Sequence, residues 1–108
     1  MITNSTIGKS NTIIFTATKQ TAITTMILCN TGATPDTISL YIVKSGGVPS
    51  NVNTILSNLQ LIANDTFVCD TERIILDAGD TVRAVSTTGN TQMTVSVMEL
   101  ASQSVTNG

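Results

Sequence analysis

The sequence predicts an all-β protein, folded as a single antiparallel β-sandwich or small jelly roll of about seven to eight strands. The 108 residues include 20 Thr, 12 Ile and 9 Val, and β-branched side chains favour strands over helices. Charged residues make up only 11% of the chain, so few Lys or Glu remain to cover exposed helix faces. Short alternating segments recur about every 8–12 residues between turn residues, which is typical of sandwiches and small barrels.

The chain divides into three parts. Residues 1–11 are polar and carry no period, so we expect a flexible arm there. Residues 12–100 hold the sandwich, and the polar residues 101–108 form a loose tail. The predicted strands cover 12–18, 21–29, 37–44, 59–62, 66–69, 73–76, 81–86 and 92–100, because apolar and polar side chains alternate or β-branched residues run together in each.

Two connections carry clear local signals. Residues 51–58 have apolar side chains at helical spacing, and Asn51 or Asn53 could cap a helix, so we predict one helical turn before the strand at 59–62. The segment from Asp77 to Asp80 is a turn in which Gly79 supplies the positive φ.

The chemistry available to the chain is narrow. It contains no His, which excludes a Ser/His/Asp triad and a Cys/His pair. We therefore expect no enzyme, and we predict no catalytic, cofactor-binding or metal-binding residue. Cys29 and Cys69 lie in predicted strands among apolar neighbours, so we expect reduced core residues rather than a nucleophile, a zinc site or a disulfide.

Four acidic residues, Asp65, Asp70, Asp77 and Asp80, follow one another at predicted turns and raise the hypothesis of a calcium site. Their spacing does not match a dedicated calcium loop. Asp is common in turns because its side chain accepts backbone hydrogen bonds. We therefore favour turn capping over metal binding.

Composition also limits the partners. A formal net charge of −2, five Lys and Arg residues and three aromatic residues argue against binding nucleic acid, which needs clustered cations and stacking platforms. No apolar run approaches the roughly 20 residues of a membrane span, and the amino-terminal residues do not have the pattern of a secretory signal. Tyr41 is the one obvious candidate for stacking on a sugar, which leaves a carbohydrate-binding module as an alternative.

Several segments together resemble a known group of proteins. They are Ile27-Leu-Cys-Asn-Thr-Gly32, Thr37-Ile-Ser-Leu-Tyr-Ile-Val43, Asn53-Thr-Ile55, Ile62-Ala-Asn-Asp-Thr-Phe67 and Ile75-Leu-Asp-Ala-Gly-Asp-Thr-Val82. The pattern is similar to that of small virion structural proteins of tailed bacteriophages, short β-sandwich proteins with an Asn-Thr/Ser-Gly loop before one strand and an Ala-Gly-Asp turn before the last strand pair. The resemblance covers residues 21–100.

The resemblance implies a non-enzymatic role in the virion. We expect a capsid decoration (cement) protein, assembled in the host cytoplasm, that stabilises the shell by bridging subunits of the major capsid protein. It implies a homo-oligomer, with a trimer favoured, and no cofactor. Candidate contact elements are Met1–Asn11, Asn30–Asp36 and Ser45–Asn53. A neck, tail or fibre-tip component is the alternative within the same group.

Overall fold

The computed structural model describes residues 1–69 and 74–100, which form nine strands and one short 3₁₀ turn. The strands are β1 (Ile2–Thr6), β2 (Thr12–Thr16), β3 (Thr21–Asn30), β4 (Asp36–Val43), β5 (Thr54–Leu61), β6 (Thr66–Cys69), β7 (Ile74–Leu76), β8 (Thr81–Ser86) and β9 (Thr91–Glu99). The 3₁₀ turn covers Asn51–Asn53. The all-β prediction is confirmed.

The strands form two antiparallel sheets. Sheet A has the order β1-β9-β3-β6, and β7 pairs with the first residues of β3. Sheet B has the order β2-β8-β4-β5. The pairs β1–β9, β2–β8, β3–β6 and β4–β5 are nested along the chain and alternate between the sheets, which is the strand order of a jelly roll.

The core lies between the two sheets, and strand alternation explains its composition. Every second side chain of a central strand points inward, and the inward positions of β3, β4, β8 and β9 are nearly all apolar. The most deeply buried are Met26, Leu28, Ile38, Leu40, Val82, Ala84, Met93 and Val95, each at most 1% exposed. Burying a side chain of this size contributes about 1.5–3 kcal/mol.

The expectation of a flexible arm at residues 1–11 is wrong. Residues Ile2–Thr6 form β1 and pair along their whole length with β9. Ile7 is fully buried and belongs to the core. Thr, Asn and Ser alternate with one another in this segment, so no apolar period marks the strand, and the backbone ladder to β9 and the side chain of Ile7 hold it in place.

The helical turn expected at residues 51–58 is shorter than predicted. It ends at Asn53, and β5 begins at Thr54 rather than at Leu59. Asn53 does contribute to the turn, because its side-chain oxygen accepts a hydrogen bond from the backbone N–H of Ser50 at 2.9 Å. Pairing with β4 extends the strand over residues whose spacing alone fitted a helix.

The described residues therefore hold nine strands rather than the seven or eight expected, because β1 is added. The predicted strand at 73–76 is present as Ile74–Leu76, while residue 73 lies outside the described part. The predicted tail at 101–108 also lies outside it.

Candidate functional site

A buried carboxylate lies at the start of β4. Asp36 is 1% exposed, and its two oxygens accept five hydrogen bonds from its own neighbour and from the β8–β9 turn. Oδ1 accepts from Thr37 N at 2.9 Å, Thr87 Oγ1 at 3.0 Å and Thr88 N at 3.0 Å, and Oδ2 accepts from Ser86 Oγ and Thr91 Oγ1, both at 2.5 Å. We call Asp36, Ser86, Thr87, Thr88 and Thr91 the Asp36 cluster.

The surroundings of Asp36 keep it ionised. Burial by itself raises the pKa of the carboxyl, but the hydrogen bonds from Ser86, Thr91, Thr88 and Thr87 outweigh it and hold the pKa far below its usual range. A carboxylate with all its acceptor positions engaged by donors has no place for a substrate proton or a metal ion. The Asp36 cluster therefore locks the start of β4 to the β8–β9 turn.

Asp36 is the last residue of the loop Asn30–Asp36, one of the three expected contact elements. Both ends of the loop are buried instead: Asn30 is fully buried and Asp36 nearly so. The Asn30 amide donates to Thr34 O at 2.8 Å and to Leu61 O at 3.0 Å. Only the middle of the loop can make contacts, so as a contact element it is smaller than expected. A lone Asp directly before an alternating strand is the signal that could have identified the buried carboxylate.

The acidic residues considered as a calcium site do not come together. The backbone oxygen of Asp65 accepts a hydrogen bond from the backbone N–H of Asn30, which lies at one end of β3. The turn that holds Asp77 and Asp80 follows Leu76, and Leu76 pairs with the other end of β3. Ten strand residues separate these ends, about 30 Å at 3.3 Å per residue. Within residues 1–69 and 74–100, no three His, Cys, Asp or Glu side chains are grouped as metal ligands, and Asp70 lies outside these ranges.

Turn capping is confirmed for Asp80. Its carboxylate accepts from Asp77 N at 2.9 Å and from Ser45 N at 3.0 Å, which ties the β7–β8 turn to the loop after β4. The Asp77 side chain instead accepts from the Gln20 amide at 3.4 Å. Gly79 has the expected positive φ of 92°, and a Cβ there would lie 2.5 Å from Ser45 Oγ.

The two cysteines are unpaired and lie on opposite faces of sheet A. Cys69 is opposite Met26 in the β3–β6 register and packs against the core. Met26 points into the core, and successive side chains of a strand point to opposite faces. Cys29 is three residues beyond Met26 on β3, so its side chain points outward. Side chains on opposite faces of one sheet are not placed to bond to each other, and the core placement is right for Cys69 and wrong for Cys29.

The broadest candidate for a functional surface is the outward side of sheet A. Its strands present uncharged residues side by side in the paired registers. Its members, named here the outer face of sheet A, are Ile2, Asn4 and Thr6 of β1, Gln92, Thr94, Ser96 and Met98 of β9, Thr25, Ile27 and Cys29 of β3, Thr66 and Val68 of β6, and Ile75 of β7. No member carries a charge.

Several polar side chains on this face bond to one another. Thr6 Oγ1 donates to Gln92 Oε1 at 2.6 Å, and Thr94 Oγ1 donates to Asn4 Oδ1 at 2.8 Å. Covering a surface costs free energy chiefly where charged or unpaired polar groups lose water. A face without charged members, on which two pairs of polar side chains already bond to each other, should therefore lose little free energy of hydration when it is covered, and depletion of charge is typical of the centre of a protein interface.

The outer side of sheet B has a different character. Arg83 of β8 lies directly opposite Tyr41 of β4 in the register and opposite Ile13 of β2. Tyr41 is half-buried rather than raised as an open platform. The Arg83 Nε donates to Thr81 Oγ1 at 3.0 Å. This side therefore places a charge at its centre, unlike the outer face of sheet A.

The third predicted contact element, Ser45–Asn53, forms one wall of an open groove of about 530 Å³. Val52 is 94% exposed and Val48 70% exposed. Ile55 of β5 and Ile75 of β7 continue the apolar lining, and Lys44 and Asp80 are also in the wall. Of the three contact elements predicted, this loop holds the apolar side chain with the largest exposed fraction, that of Val52.

Across the described residues, no helix has the length and apolar character needed to cross a membrane. No family model, no curated protein and no solved structure matches the chain.

Proposed function

We propose that this protein is a non-enzymatic structural protein of a phage particle, a capsid decoration protein that binds the shell through the outer face of sheet A. The observation that carries the proposal is that face itself, whose members within the described residues 1–69 and 74–100 include no charged side chain. A broad, uncharged and internally hydrogen-bonded surface favours a broad protein contact over a small-molecule site.

The mechanism would be binding. Each copy would cover a seam between capsid subunits, and many copies on one shell would together resist the outward pressure of the packaged genome. Contacts repeated over a closed shell raise the effective affinity of each one. The buried hydrogen bonds of Asp36 and Asn30 support this role, because they fix the connections between strands and keep the sheets rigid when force acts on one face.

The strand order adds limited support. Jelly rolls occur in viral capsid proteins, and they also occur in lectins and cupins. Architecture by itself does not decide between these uses. The half-buried position of Tyr41 makes the sugar-binding alternative less favourable than the decoration role, because a sugar needs an open aromatic surface.

The first test is the copy number of this chain in purified native particles, measured by quantitative mass spectrometry against the major shell protein. We expect a ratio near one to one, or one to a small integer. A few copies per hundred shell subunits would instead indicate a neck, tail or fibre position. Absence from the particles would overturn the virion assignment.

A second test locates the surface. Thr94→Lys places a charge at the centre of the outer face of sheet A, and Gln60→Lys places the same charge on exposed β5 of sheet B as a matched control. Shells lacking this protein would be incubated with each variant. We expect occupancy to fall at least roughly tenfold for Thr94→Lys, since a buried unpaired charge is costly, and to stay unchanged for Gln60→Lys. Equal binding of both variants would contradict the proposed surface.

A further inference from the structure

The edge of sheet A at β1 is regular. Residues Ile2–Thr6 pair with β9 in an unbroken register, without a bulge, and none of them is charged or a proline. Edge strands that are meant to remain single usually carry a charge, a proline or a bulge. The β1 edge has none of these protections.

The hydrogen-bond pattern shows which backbone groups the edge presents. Met1 and Val97 exchange two hydrogen bonds, both at 2.9 Å, and in an antiparallel pair every second residue bonds to the partner strand. The N–H and C=O groups of Ile2, Asn4 and Thr6 therefore point away from β9. In the part of the chain that the structure describes, no backbone bond outside the strand pairs involves these three residues.

The other edges are less suitable for pairing. The β5 edge is broken by register shifts and by Asn58 at a φ of 55°, and β2 has a register shift of its own. The β6 edge is regular, but Asn30 N bonds to Asp65 O, so only Thr66 and Val68 of that strand point outward. The longest regular run of outward backbone groups among these edges belongs to β1.

We propose that β1 pairs antiparallel with β1 of a second copy of this chain, forming a two-fold dimer centred on Asn4. What the edge offers is alternating backbone donors and acceptors, so its occupant must be another extended strand. The strand is complementary to itself: Asn4 faces Asn4 of the second copy, and Ile2 faces Thr6 in both directions. Each of these three pairs exchanges two hydrogen bonds, and no like charges meet across the axis.

The pairing also continues the uncharged surface. In an antiparallel pair related by a two-fold axis perpendicular to the sheet, both outer faces of sheet A lie on the same side. The exposed side chain of Ile2 would be covered by Thr6 of the second copy. The inference does not depend on the proposed function, because a dimer in solution can be measured without any particle.

The test is the mass of the full chain in solution, by sedimentation equilibrium over a range of micromolar concentrations. The unsubstituted protein is expected at twice the mass of one chain. The double variant Ile2→Lys, Thr6→Lys places lysine opposite lysine in both outer pairs. Its dissociation constant should rise roughly tenfold or more, because like charges directly opposite are destabilising.

A charge swap tests the register. The double variant Ile2→Lys, Thr6→Glu loses the same Thr6–Gln92 hydrogen bond but places opposite charges together, so dimerisation should recover to within roughly threefold of the original. Val68→Lys, on the β6 edge of the same sheet, is the control and should leave the dimer intact. The melting temperature of each variant checks that the fold is retained.

Three results would overturn the proposal. They are a monomer or a trimer for the unsubstituted chain, a dimer that tolerates both double variants equally, and a dimer lost in Val68→Lys but kept in Ile2→Lys, Thr6→Lys. Failure of particle binding with an intact dimer would contradict the proposed function and leave this inference standing.

Discussion

Hydroxyl groups donate hydrogen bonds to different kinds of acceptor in two regions of this protein. In the Asp36 cluster, the hydroxyls of Ser86, Thr87 and Thr91 all donate to one buried carboxylate. On the outer face of sheet A, Thr6 and Thr94 donate to neutral amide oxygens at the surface. The residue types are alike, while the acceptor and the exposure differ.

Because of this difference, the two sets of hydroxyls contribute unequally to the free energy of unfolding. A hydrogen bond to a buried charge contributes about 1.5–3 kcal/mol, and leaving either partner buried and unpaired costs a similar amount. A neutral bond at a wet surface is replaced by water when it is lost. The stability of the protein should therefore be sensitive to substitution in the Asp36 cluster and should change little on substitution of a hydroxyl on the outer face of sheet A.

The largest effect is expected at Asp36 itself. Asp36→Ala leaves the donors of the Asp36 cluster without an acceptor, and the free energy of unfolding should fall by about 3 kcal/mol or more. Asp36→Asn should lose less, because the remaining oxygen can still accept while the Ser86 and Thr91 hydroxyls turn to accept from the amide. Urea denaturation checks both, and equal losses for the two variants would contradict this account of the cluster.

Acid should weaken the same cluster. The pKa of Asp36 is far below its ordinary value in the folded state, while in the unfolded chain it is about 3.9. Below that value the unfolded state binds more protons, so stability is complete above about pH 5 and declines as the pH falls through 4 toward the folded pKa. The decline should be smaller in Asp36→Asn. Denaturation midpoints between pH 7 and pH 2.5 measure this loss of stability. The same pH dependence in the original protein and in Asp36→Asn would argue against Asp36 as its cause.

A matched pair of substitutions compares the two regions directly. Thr91→Val removes a buried hydroxyl from Asp36 and should cost about 1–3 kcal/mol. Thr94→Val, three residues along the same strand, removes a surface hydroxyl and should change stability by less than about 0.5 kcal/mol. Thermal melts of both variants measure the two losses of stability. Comparable losses at the two positions would remove the distinction between interior and surface hydroxyls.

The smallest effects are expected at the cysteines. Cys69→Ser puts a hydroxyl against the core and should cost about 1 kcal/mol, whereas Cys29→Ser on the outer face should be close to neutral. Both thiols should react with a thiol reagent in the unfolded protein without prior reduction, because the structure contains no bond between them. A larger loss at Cys29 than at Cys69 would show that the two faces of sheet A are assigned the wrong way round.

Local patterning predicted a substantial part of this fold. The all-β class, most strand positions, the positive φ of Gly79 and the capping role of Asp80 follow from residue type and spacing. The prediction failed where a partner strand decides the structure. Ile2–Thr6 has no apolar period and is a strand because β9 lies beside it. Residues 54–58 belonged to the segment 51–58 with helical spacing, but pairing with β4 makes them part of β5.

The outer face of sheet A also depends partly on local patterning and partly on which strands lie side by side. The polar alternation of Gln92, Thr94 and Ser96 was visible in the sequence, but the sequence could not show that Asn4, Ile27 and Val68 complete a row across them. Asp36 was hidden for a related reason, since its five donors come mainly from a turn some 50 residues away.

By itself, the sequence determined that the chain forms short strands, that its surface carries little charge and that it has no histidine for catalysis. These properties depend on each residue and its near neighbours. The tertiary structure decided which strands are adjacent, which side of each faces water and which edge is left open, because these depend on pairings between residues far apart in the chain.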